Sequence, residues 1–257
     1  MRKPTKINKA KGLAIMGILT GVEAAKAYTE KTKQQEEILA RHMAAGVVFE
    51  LLDGVIIEPE VVIAPGATIL PGVILKGKTE IGPECSIGPN TLISNSRIGK
   101  GCTVNASQVY DSVVEAGTSI GPFSHIRPQS HIGEQVHIGD FVEVKNSTIG
   151  EKTSVSHLTY IGDSDVGKGC NFGCGVVTVN YDGENKNRTK VGDYCFVGCN
   201  SNLVAPVTLG DGAYTAAGST ITKDVPADAL AVARARQENK DGWAEQKLQA
   251  YKEKKKK

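Results

Sequence analysis

The stretch IGDFVEVKNSTIGEKTSVSHLTYIGDSDVG, residues 138–167, carries the periodic pattern that decides the fold. Aliphatic residues recur along it six positions apart, with two steps of five, at Ile138, Val144, Ile149, Val155, Ile161 and Val166. This period indicates the hexapeptide repeat of a parallel β-helix, in which three repeats form one triangular coil. The steps of five are interpreted as single-residue deletions at the corners of the coil.

The repeat extends from Ile57 to Ile221, and only the insertion 179–190 interrupts it. Its further positions are Ile57, Ile63, Ile69, Leu75, Ile81, Ile87, Ile93, Ile98, Val104, Val109, Val114, Ile120, Ile126, Ile132, Phe172, Thr178, Val191, Val197, Leu203, Leu209, Thr215 and Ile221. We expect the aliphatic residue of each hexad in the core and the small residue at position five near a tight corner. Twenty-eight such positions predict an all-β fold of about nine coils, stacked at roughly 4.8 Å by strand pairing.

Composition agrees with many short strands, because only 5% of the 257 residues are aromatic while Val, Ile, Gly, Thr and Ser are abundant. A net charge of +2 is too small to indicate nucleic-acid binding, and no apolar run has the length of a membrane span. The first 25 residues resemble a signal peptide, but Gly17 and Thr20 break the short apolar part, so export is not expected.

Three regions are predicted along the chain. Residues 1–50 form an N-terminal segment with a linker helix over 21–45, and residues 51–235 form the β-helix. Residues 236–257 form a short C-terminal helix, from QENKDGWAEQKLQAYKEK, and a solvated basic tail.

Four of the six cysteines occupy the small fifth position of a hexad: Cys85, Cys102, Cys170 and Cys195. We interpret them as small buried apolar residues with no metal or disulfide role, and their reduced state suggests a cytoplasmic protein. The histidines at 125, 131 and 137 each stand just before a repeat position, on successive faces of the coil, and therefore point in different directions. They cannot bind one metal ion within one chain, which argues against a β-helix of the carbonic-anhydrase kind.

Counting three hexads per coil predicts a ladder of side chains on the face that Val155 begins. Two residues beyond each core position of this face stand Asp140, His157, Cys174, Cys199 and Ala217. Small residues beside one imidazole would leave a shallow slot for a long ligand. A shift of one residue in register would turn all of these side chains to another side.

The next face, which begins at Ile126, Val144 and Ile161, is predicted to place two cations side by side. Arg127 and Lys145 would lie on adjacent rungs, which is unfavourable unless an anion or a carboxylate lies between them. Glu143 and Tyr160 would also be neighbours, and Gly162 would leave space. The alternative interpretation of each of these residues is an ordinary solvated polar surface.

Longer motifs carry a resemblance to a known family. HIRPQSHIGEQVHIGDFVEVKNSTIGEKTSVSHLTYIGDSDVG, NFGCGVVTVNYDGENKNRTKVGD and LVAPVTLGDGAYTAAGSTITKDVPADALAVARARQENKDGW resemble the acetyltransferase domain of a bacterial bifunctional enzyme, N-acetylglucosamine-1-phosphate uridyltransferase/glucosamine-1-phosphate N-acetyltransferase. The resemblance runs from about Ala14 to Trp243. It implies a left-handed β-helix that forms homotrimers with active sites between subunits. The glycine-rich nucleotide loop of the uridyltransferase domain is not found in this sequence, so neither uridyl transfer nor its Mg²⁺ is expected.

The resemblance also implies roles for individual residues. Sugar-phosphate binding falls to Arg127, Lys145, Lys186, Tyr160 and Asn171. Catalysis falls to His157 as general base, oriented by Glu143, with Asn180 beside the reacting groups. The acetyl-CoA site would comprise Cys174, Asn180, Tyr181, Cys199, Ala217 and Arg234. Acetyl-CoA is a co-substrate in this scheme, with no permanently bound cofactor, no metal and no acyl-enzyme.

The sequence departs from the family pattern along the expected thioester slot. Cys199 replaces a usual Ser, GCGV replaces GAGT so that Cys174 and Val176 are unusual, and RPQS replaces RPGA. We therefore expect a glucosamine-1-phosphate N-acetyltransferase and keep two alternatives open. One is a hexapeptide acyltransferase for another amino sugar or acyl donor. The other is a non-catalytic trimeric β-helix that partners a separate uridyltransferase.

Overall fold

The computed structural model describes residues 21–255. Most of the signal-like segment and the last two residues of the basic tail lie outside the described residues. The described chain winds as a left-handed parallel β-helix, as predicted, with a helix before it and a helix after it. Three parallel sheets form its faces, and we name them sheet A, sheet B and sheet C, with 11, 10 and 9 strands.

The strands follow one another in the order A, B, C as far as β29, and each pairs with the strand three further along the chain, except that β28 pairs with β30. Sheet A contains β1 (Val48–Phe49), β4 (Thr68–Ile69), β7 (Ser86–Ile87), β10 (Thr103–Val104), β13 (Ser119–Ile120), β16 (His137–Asp140), β19 (Ser154–His157), β22 (Asn171–Phe172), β25 (Phe196–Val197), β28 (Tyr214–Thr215) and β30 (Leu230–Ala231). Sheet B contains β2 (Ile56–Ile57), β5 (Ile74–Lys76), β8 (Leu92–Ser94), β11 (Gln108–Tyr110), β14 (His125–Ile126), β17 (Glu143–Lys145), β20 (Tyr160–Gly162), β23 (Val177–Val179), β26 (Asn202–Val204) and β29 (Thr220–Ile221). Sheet C contains β3 (Val62–Ile63), β6 (Glu80–Ile81), β9 (Arg97–Ile98), β12 (Val113–Val114), β15 (His131–Ile132), β18 (Thr148–Ile149), β21 (Ser164–Val166), β24 (Thr189–Val191) and β27 (Val207–Leu209).

The core is a column of the repeat residues, stacked in register. Ile138 pairs with Val155, which pairs with Phe172, and each of the 28 predicted core positions is at most 5% exposed. The coil has about ten turns instead of the predicted nine. The difference arises at the two ends, where β1 and β30 extend sheet A beyond the first and last repeat positions.

The small fifth positions are buried, as predicted, and their polar atoms are paired. At the corner before sheet A, Thr153 donates from Oγ1 to the carbonyl of Gly167 in the next coil at 2.9 Å. The Cys170 thiol does the same with Gly192 at 3.1 Å. Such pairing matters because a buried hydroxyl without a partner costs about 1–3 kcal/mol. Cys85, Cys102 and Cys195 are likewise at most 2% exposed, which confirms their interpretation as buried small residues.

Left-handed backbone conformations close the corners of the coil. At the corner between sheets B and C, the residues other than glycine with positive φ are Asn95, Asp111, Gln129, Asn146 and Asp163. Asn and Asp tolerate this conformation better than most residues, because their short side chains form local hydrogen bonds. The corner therefore brings amide and carboxylate groups into one row beside sheet B.

The N-terminal helix α1 (Gly21–Ala44) covers the open end of the core with Ile38 and Leu39. Gln35 pairs with the edge strand β2: its Nε2 donates to the carbonyl of Ile57 at 2.6 Å, and the Ile57 amide donates to its Oε1 at 2.9 Å. An exposed sheet edge would otherwise offer unpaired backbone groups to other chains. The helix predicted over 21–45 is thus present and packs with its C-terminal half.

The C-terminal helix α2 (Glu245–Lys255) starts later than the predicted segment, which began at Gln237. Gly242 has φ +71° and lies in the turn over residues 241–244, so the helix does not extend back through it. No helix of the described residues 21–255 has both the length and the apolar character needed to cross a membrane.

Two adjacent isoleucines of β2 provide a matched test of the core. Ile57 is fully buried and Ile56 is 45% exposed. We expect Ile57→Ala to lower the free energy of unfolding by about 2–5 kcal/mol, because it removes packed methyl groups and leaves a cavity. Urea unfolding followed by circular dichroism measures it, with Ile56→Ala as the control. Equal losses in the two variants would contradict the assigned register.

Candidate active site

The ladder predicted on sheet A is formed in the structure. Asp140 at the end of β16 is the register partner of His157 at the end of β19. Beyond them the amide of Asn200 donates to the carbonyl of Cys174 at 2.8 Å, and the amide of Gly218 donates to the carbonyl of Cys199 at 2.8 Å. These bonds keep the ladder in register through the next coils, as far as Ala217.

His157 is bonded to Asp140 and not to Glu143. Its Nδ1 lies 2.6 Å from Asp140 Oδ1, and the imidazole is 59% exposed. This hydrogen bond lowers the pKa of the Asp140 carboxyl, so the carboxylate is ionised near neutral pH and can only accept a proton. Nδ1 of His157 therefore carries the hydrogen, and Nε2 is the nitrogen that can accept a proton from a ligand.

The prediction that Glu143 orients His157 is not met by the contacts of this chain. Glu143 starts β17 on sheet B, on the other side of the corner, and its Oε1 accepts a hydrogen bond from Arg127 Nη1 at 2.7 Å. Asp140 is one coil before His157 on the same sheet, directly in register. The ladder therefore places Asp140 beside His157, although the sequence interpretation gave Asp140 no role.

The cationic pair on sheet B is present, and each cation has a carboxylate of its own. The Arg127 amide donates to the Val144 carbonyl at 2.8 Å, which places Arg127 and Lys145 on adjacent rungs. Arg127 binds Glu143, while Lys145 Nζ lies 3.4 Å from both oxygens of Asp163. The two carboxylates offset the repulsion between the cations and hold both side chains beside the corner.

Asp163 is the centre of a buried polar network that the sequence interpretation missed. Its side chain is 4% exposed and accepts hydrogen bonds from Asn146 Nδ2 at 2.6 Å and from Asn180 Nδ2, besides pairing with Lys145. Burial by itself raises the pKa of Asp163, but the two amides and the ammonium group outweigh it and hold the pKa below the ordinary 3.8. The only sequence signal for this residue is its position at the Asn/Asp-rich corner.

Tyr160 lies next to this network. It is the register partner of Glu143, as predicted, and its hydroxyl is 3.5 Å from Asn180 Nδ2. The Tyr160 ring covers Gly162, and a Cβ added at that glycine would collide with the phenol. Gly162 therefore allows the ring to lie along the rung beside Lys145.

The insertion forms a short loop between β23 and β24, at the corner between sheets B and C. Tyr181 and Lys186 form an antiparallel bridge across it, and Asp182 accepts the amides of residues 184 and 185 at 2.9 and 2.7 Å. Arg188 fixes the end of the loop by binding Asp165 and the carbonyls of residues 146 and 164. Lys186 is thus held on the side of the coil that carries Asp163.

Two predicted site residues, Asn171 and Arg234, lie apart from the cluster around Asp163 and Tyr160. Asn171 starts β22 on sheet A, so it lies around the corner from Tyr160 on sheet B. Arg234 follows β30, and its Cδ would lie 3.8 Å from a Cβ added at Gly218, which places it at the Ala217 end of the ladder. Among the described residues 21–255, no three His, Cys, Asp or Glu side chains are grouped to hold a metal ion.

Comparison with known proteins agrees with this fold. The family described as "Bacterial transferase hexapeptide (six repeats)" matches residues 111–146 and 188–223. Both stretches lie within the β-helix, so the chain carries the repeat that defines the class of hexapeptide-repeat transferases.

Within that class the sequence is similar to "Bifunctional protein GlmU". It is 48% identical to the Clostridium botulinum protein over 233 residues, which are 91% of this chain and 50% of that protein. It is 44% identical to the Caldicellulosiruptor saccharolyticus protein over 250 residues, 97% of this chain and 53% of that protein. This confirms the resemblance drawn from the motifs, and the chain spans about half the length of these relatives.

Among solved structures, LpxA, a UDP-N-acetylglucosamine acyltransferase from Bacteroides fragilis, matches with a TM-score of 0.40 and 19% identity. The match covers 66% of this chain and 69% of that chain.

The Asp163 network can be tested by charge removal. Because its pKa is lower in the folded chain, the ionised carboxylate stabilises the fold fully above pH 3.8, and this contribution is lost as the pH falls through the lower folded value. We expect Asp163→Asn to lower the free energy of unfolding at pH 7 by about 1–3 kcal/mol. The difference in the free energy of unfolding between Asp163→Asn and the wild type, measured by urea unfolding, should become smaller below pH 3.8.

Asp165→Asn is the matched control, because Asp165 also pairs with a cation, Arg188, but at the surface. Exposed pairs contribute about 0–1 kcal/mol, so this variant should stay close to the wild type. If both variants lost a similar amount of unfolding free energy, the contacts of Asp163 would not owe their strength to burial.

Proposed function

We propose that the chain transfers an acetyl group from acetyl-CoA to the amine of glucosamine-1-phosphate, giving N-acetylglucosamine-1-phosphate for UDP-N-acetylglucosamine synthesis. The observation that carries the proposal is the hydrogen bond between His157 and Asp140 at the head of an open ladder of small residues. The cations around the corner and the similarity to GlmU proteins support it.

The chemistry requires a base, because a protonated amine is not a nucleophile. Nε2 of His157 takes a proton from the amine of the sugar while the amine nitrogen attacks the thioester carbonyl. A new C–N bond forms and the C–S bond breaks. The imidazolium then gives its proton to the departing sulfur, so that CoA leaves as the thiol. Asp140 holds the imidazole in the required tautomer and stabilises the imidazolium that forms.

The phosphate would bind to the cations at the corner of sheets B and C. Arg127 and Lys145 lie on adjacent rungs, and the insertion loop carries Lys186 on the same side. Arginine and lysine are the common partners of phosphate, and fixing the phosphate positions the amine relative to His157. Asn180, held by Asp163 beside Tyr160, would face the same substrate.

The acyl donor would lie along the ladder beyond His157. Cys174, Cys199 and Ala217 are small, and Arg234 stands at the far end, where a cation suits the phosphates of CoA. Tyr181 on the insertion loop is 57% exposed and available to the reacting groups.

We further propose that the site is completed between subunits of a homotrimer. Phe123, Phe141 and Leu158 are 55–61% exposed at the corner between sheets A and B, beside His157, and all three have positive φ. Bulky residues are strained at positive φ, so contacts elsewhere must stabilise this conformation. An exposed apolar patch is also typical of an interface, and we propose that a second copy of the chain covers it. A neighbour would also bring an Asn171 from sheet A towards a Tyr160 on sheet B. The free state of all six cysteines fits a cytoplasmic setting.

His157→Ala tests the general base. With acetyl-CoA and glucosamine-1-phosphate, we expect wild-type protein to release CoA thiol and the variant to be slower by about 10²–10⁴-fold, the usual contribution of a positioned base. His131→Ala is the control, since His131 is also exposed and bound to a carboxylate, Glu115, but lies on sheet C. No thiol release by the wild type would reject the enzyme and favour a non-catalytic partner. Faster release with another amino sugar phosphate would change the substrate.

A second pair of variants separates the roles of two carboxylates. Asp140→Asn should lower kcat with little change in the KM of the sugar phosphate, because it disturbs the tautomer and orientation of His157. Glu143→Gln should mainly change that KM, because it releases the guanidinium of Arg127. Steady-state kinetics at saturating acetyl-CoA measure both. If Glu143→Gln lowers kcat and Asp140→Asn does not, Glu143 and not Asp140 orients His157.

A further inference from the structure

The two cysteines outside the core differ from the other four in their surroundings. Cys85, Cys102, Cys170 and Cys195 are at most 2% exposed. Cys199 is exposed and Cys174 is half-buried, and both stand on the ladder that begins at His157. Their thiols can therefore be reached by a small reagent that enters the proposed acyl-donor slot.

Register places these two cysteines side by side. Phe172 of β22 pairs with Val197 of β25, and each cysteine comes two residues later, with the Asn200 amide bonded to the Cys174 carbonyl at 2.8 Å. Parallel rungs in register hold paired Cα atoms about 4.8 Å apart, within the range of roughly 4.4–6.8 Å that disulfides require.

The Cys199 side chain leans towards the preceding coil. A Cβ added at Gly173 would lie 2.8 Å from Cys199 Sγ, so the thiol lies against the residue that precedes Cys174. Gly173 and Gly175 flank Cys174, and neither carries a side chain that could separate the two sulfur atoms. Little movement is then needed to join them.

We propose that Cys174 and Cys199 form a modification site for low-molecular-weight disulfides, which close the pair into a Cys174–Cys199 bond. The thiolate of Cys199 attacks the reagent disulfide, forms a mixed disulfide and releases one thiol. The thiolate of Cys174 then attacks Cys199 Sγ, and the second reagent thiol leaves. Two protein thiols are oxidised, and one reagent disulfide is reduced to two thiols.

The buried cysteines provide an internal comparison. Cys85 and Cys102 lie on adjacent rungs, and so do Cys170 and Cys195, because the strands that follow them pair in register. Each of these thiols donates to a carbonyl of the next coil, for example Cys170 to Gly192 at 3.1 Å. Proximity is therefore shared by three pairs, but access by the reagent is confined to one.

The bond would lie one and two coils beyond His157, across the path proposed for the thioester. This consequence rests on the proposed function. A disulfide fixes both side chains and alters the width of the slot, so the acyl donor can no longer take its position relative to His157. Reduction restores the open slot.

Thiol titration tests the bond without any assay of turnover. Native protein is incubated with oxidised glutathione, freed of reagent and titrated under denaturing conditions. We expect four of the six thiols to remain in the wild type. Cys174→Ala and Cys199→Ser should each form no internal bond, and the Cys174→Ala protein should instead carry one glutathionyl group by mass spectrometry.

Trypsin leaves Cys170 with Cys174 and Cys195 with Cys199 on shared peptides, so variants must assign the bond. Cys170→Thr is the matched control, because Thr153 occupies the same corner one coil earlier. This variant should still lose two thiols. Six free thiols in the oxidised wild type, or loss of a pair in Cys174→Ala, would overturn the proposal.

Activity is read separately on the same samples. The oxidised wild type should have a kcat/KM for acetyl-CoA that is lower than that of the reduced protein by on the order of tenfold, and dithiothreitol should restore it. In Cys199→Ser, kcat/KM should be the same before and after treatment with oxidised glutathione. Full activity with the bond formed would show that the slot does not carry the acyl donor. If the reduced wild type shows no turnover, the proposed function fails while the titration still decides the modification site.

Discussion

Register between coils is the constraint on which both the core and the candidate site depend. Each strand is paired by backbone hydrogen bonds to the strand one coil away, so a residue in one coil fixes its neighbours in the coils on either side. Ile138, Val155 and Phe172 are one such row inside, and Asp140 and His157 belong to another row outside. Because side chains alternate between the two surfaces of a strand, one shift would disrupt both rows together.

The corners determine where polar groups gather. Left-handed conformations at the turn from sheet B to sheet C favour Asn and Asp, which explains why Asn146 and Asp163 occupy successive coils there. The Asp163 side chain accepts hydrogen bonds from Asn146 and Asn180 and pairs with Lys145. These contacts neutralise the cation and order the start of the insertion loop. A requirement of backbone geometry thus supplies the charges and amides that surround the proposed phosphate site.

The features that the six-residue period determines could be predicted from the sequence. The buried column, the three faces, the ladder from Asp140 to Ala217 and the rung shared by Arg127 and Lys145 all depend on counting, and the structure has each of them. Counting cannot predict which way a long side chain turns, so it did not predict that Glu143 reaches Arg127 and leaves His157 to Asp140. The buried environment of Asp163 arises from an aperiodic insertion folding back on a corner, which no period describes. The later start of α2 depends on one glycine turn.

The separation of inner and outer rows explains why the ladder can vary while the fold does not. Core residues such as Val155 and Val197 are fully buried, and their burial stabilises each coil regardless of what stands two residues further along. Cys174, Cys199 and Ala217 stand outside that column, so packing of the core leaves their identity free to vary. Two thiols on adjacent rungs then cost the fold little, and they place redox-active groups one and two coils from the base that the proposed reaction needs. In such a solenoid, chemistry along the outside can change one rung at a time because stability is determined on the inside.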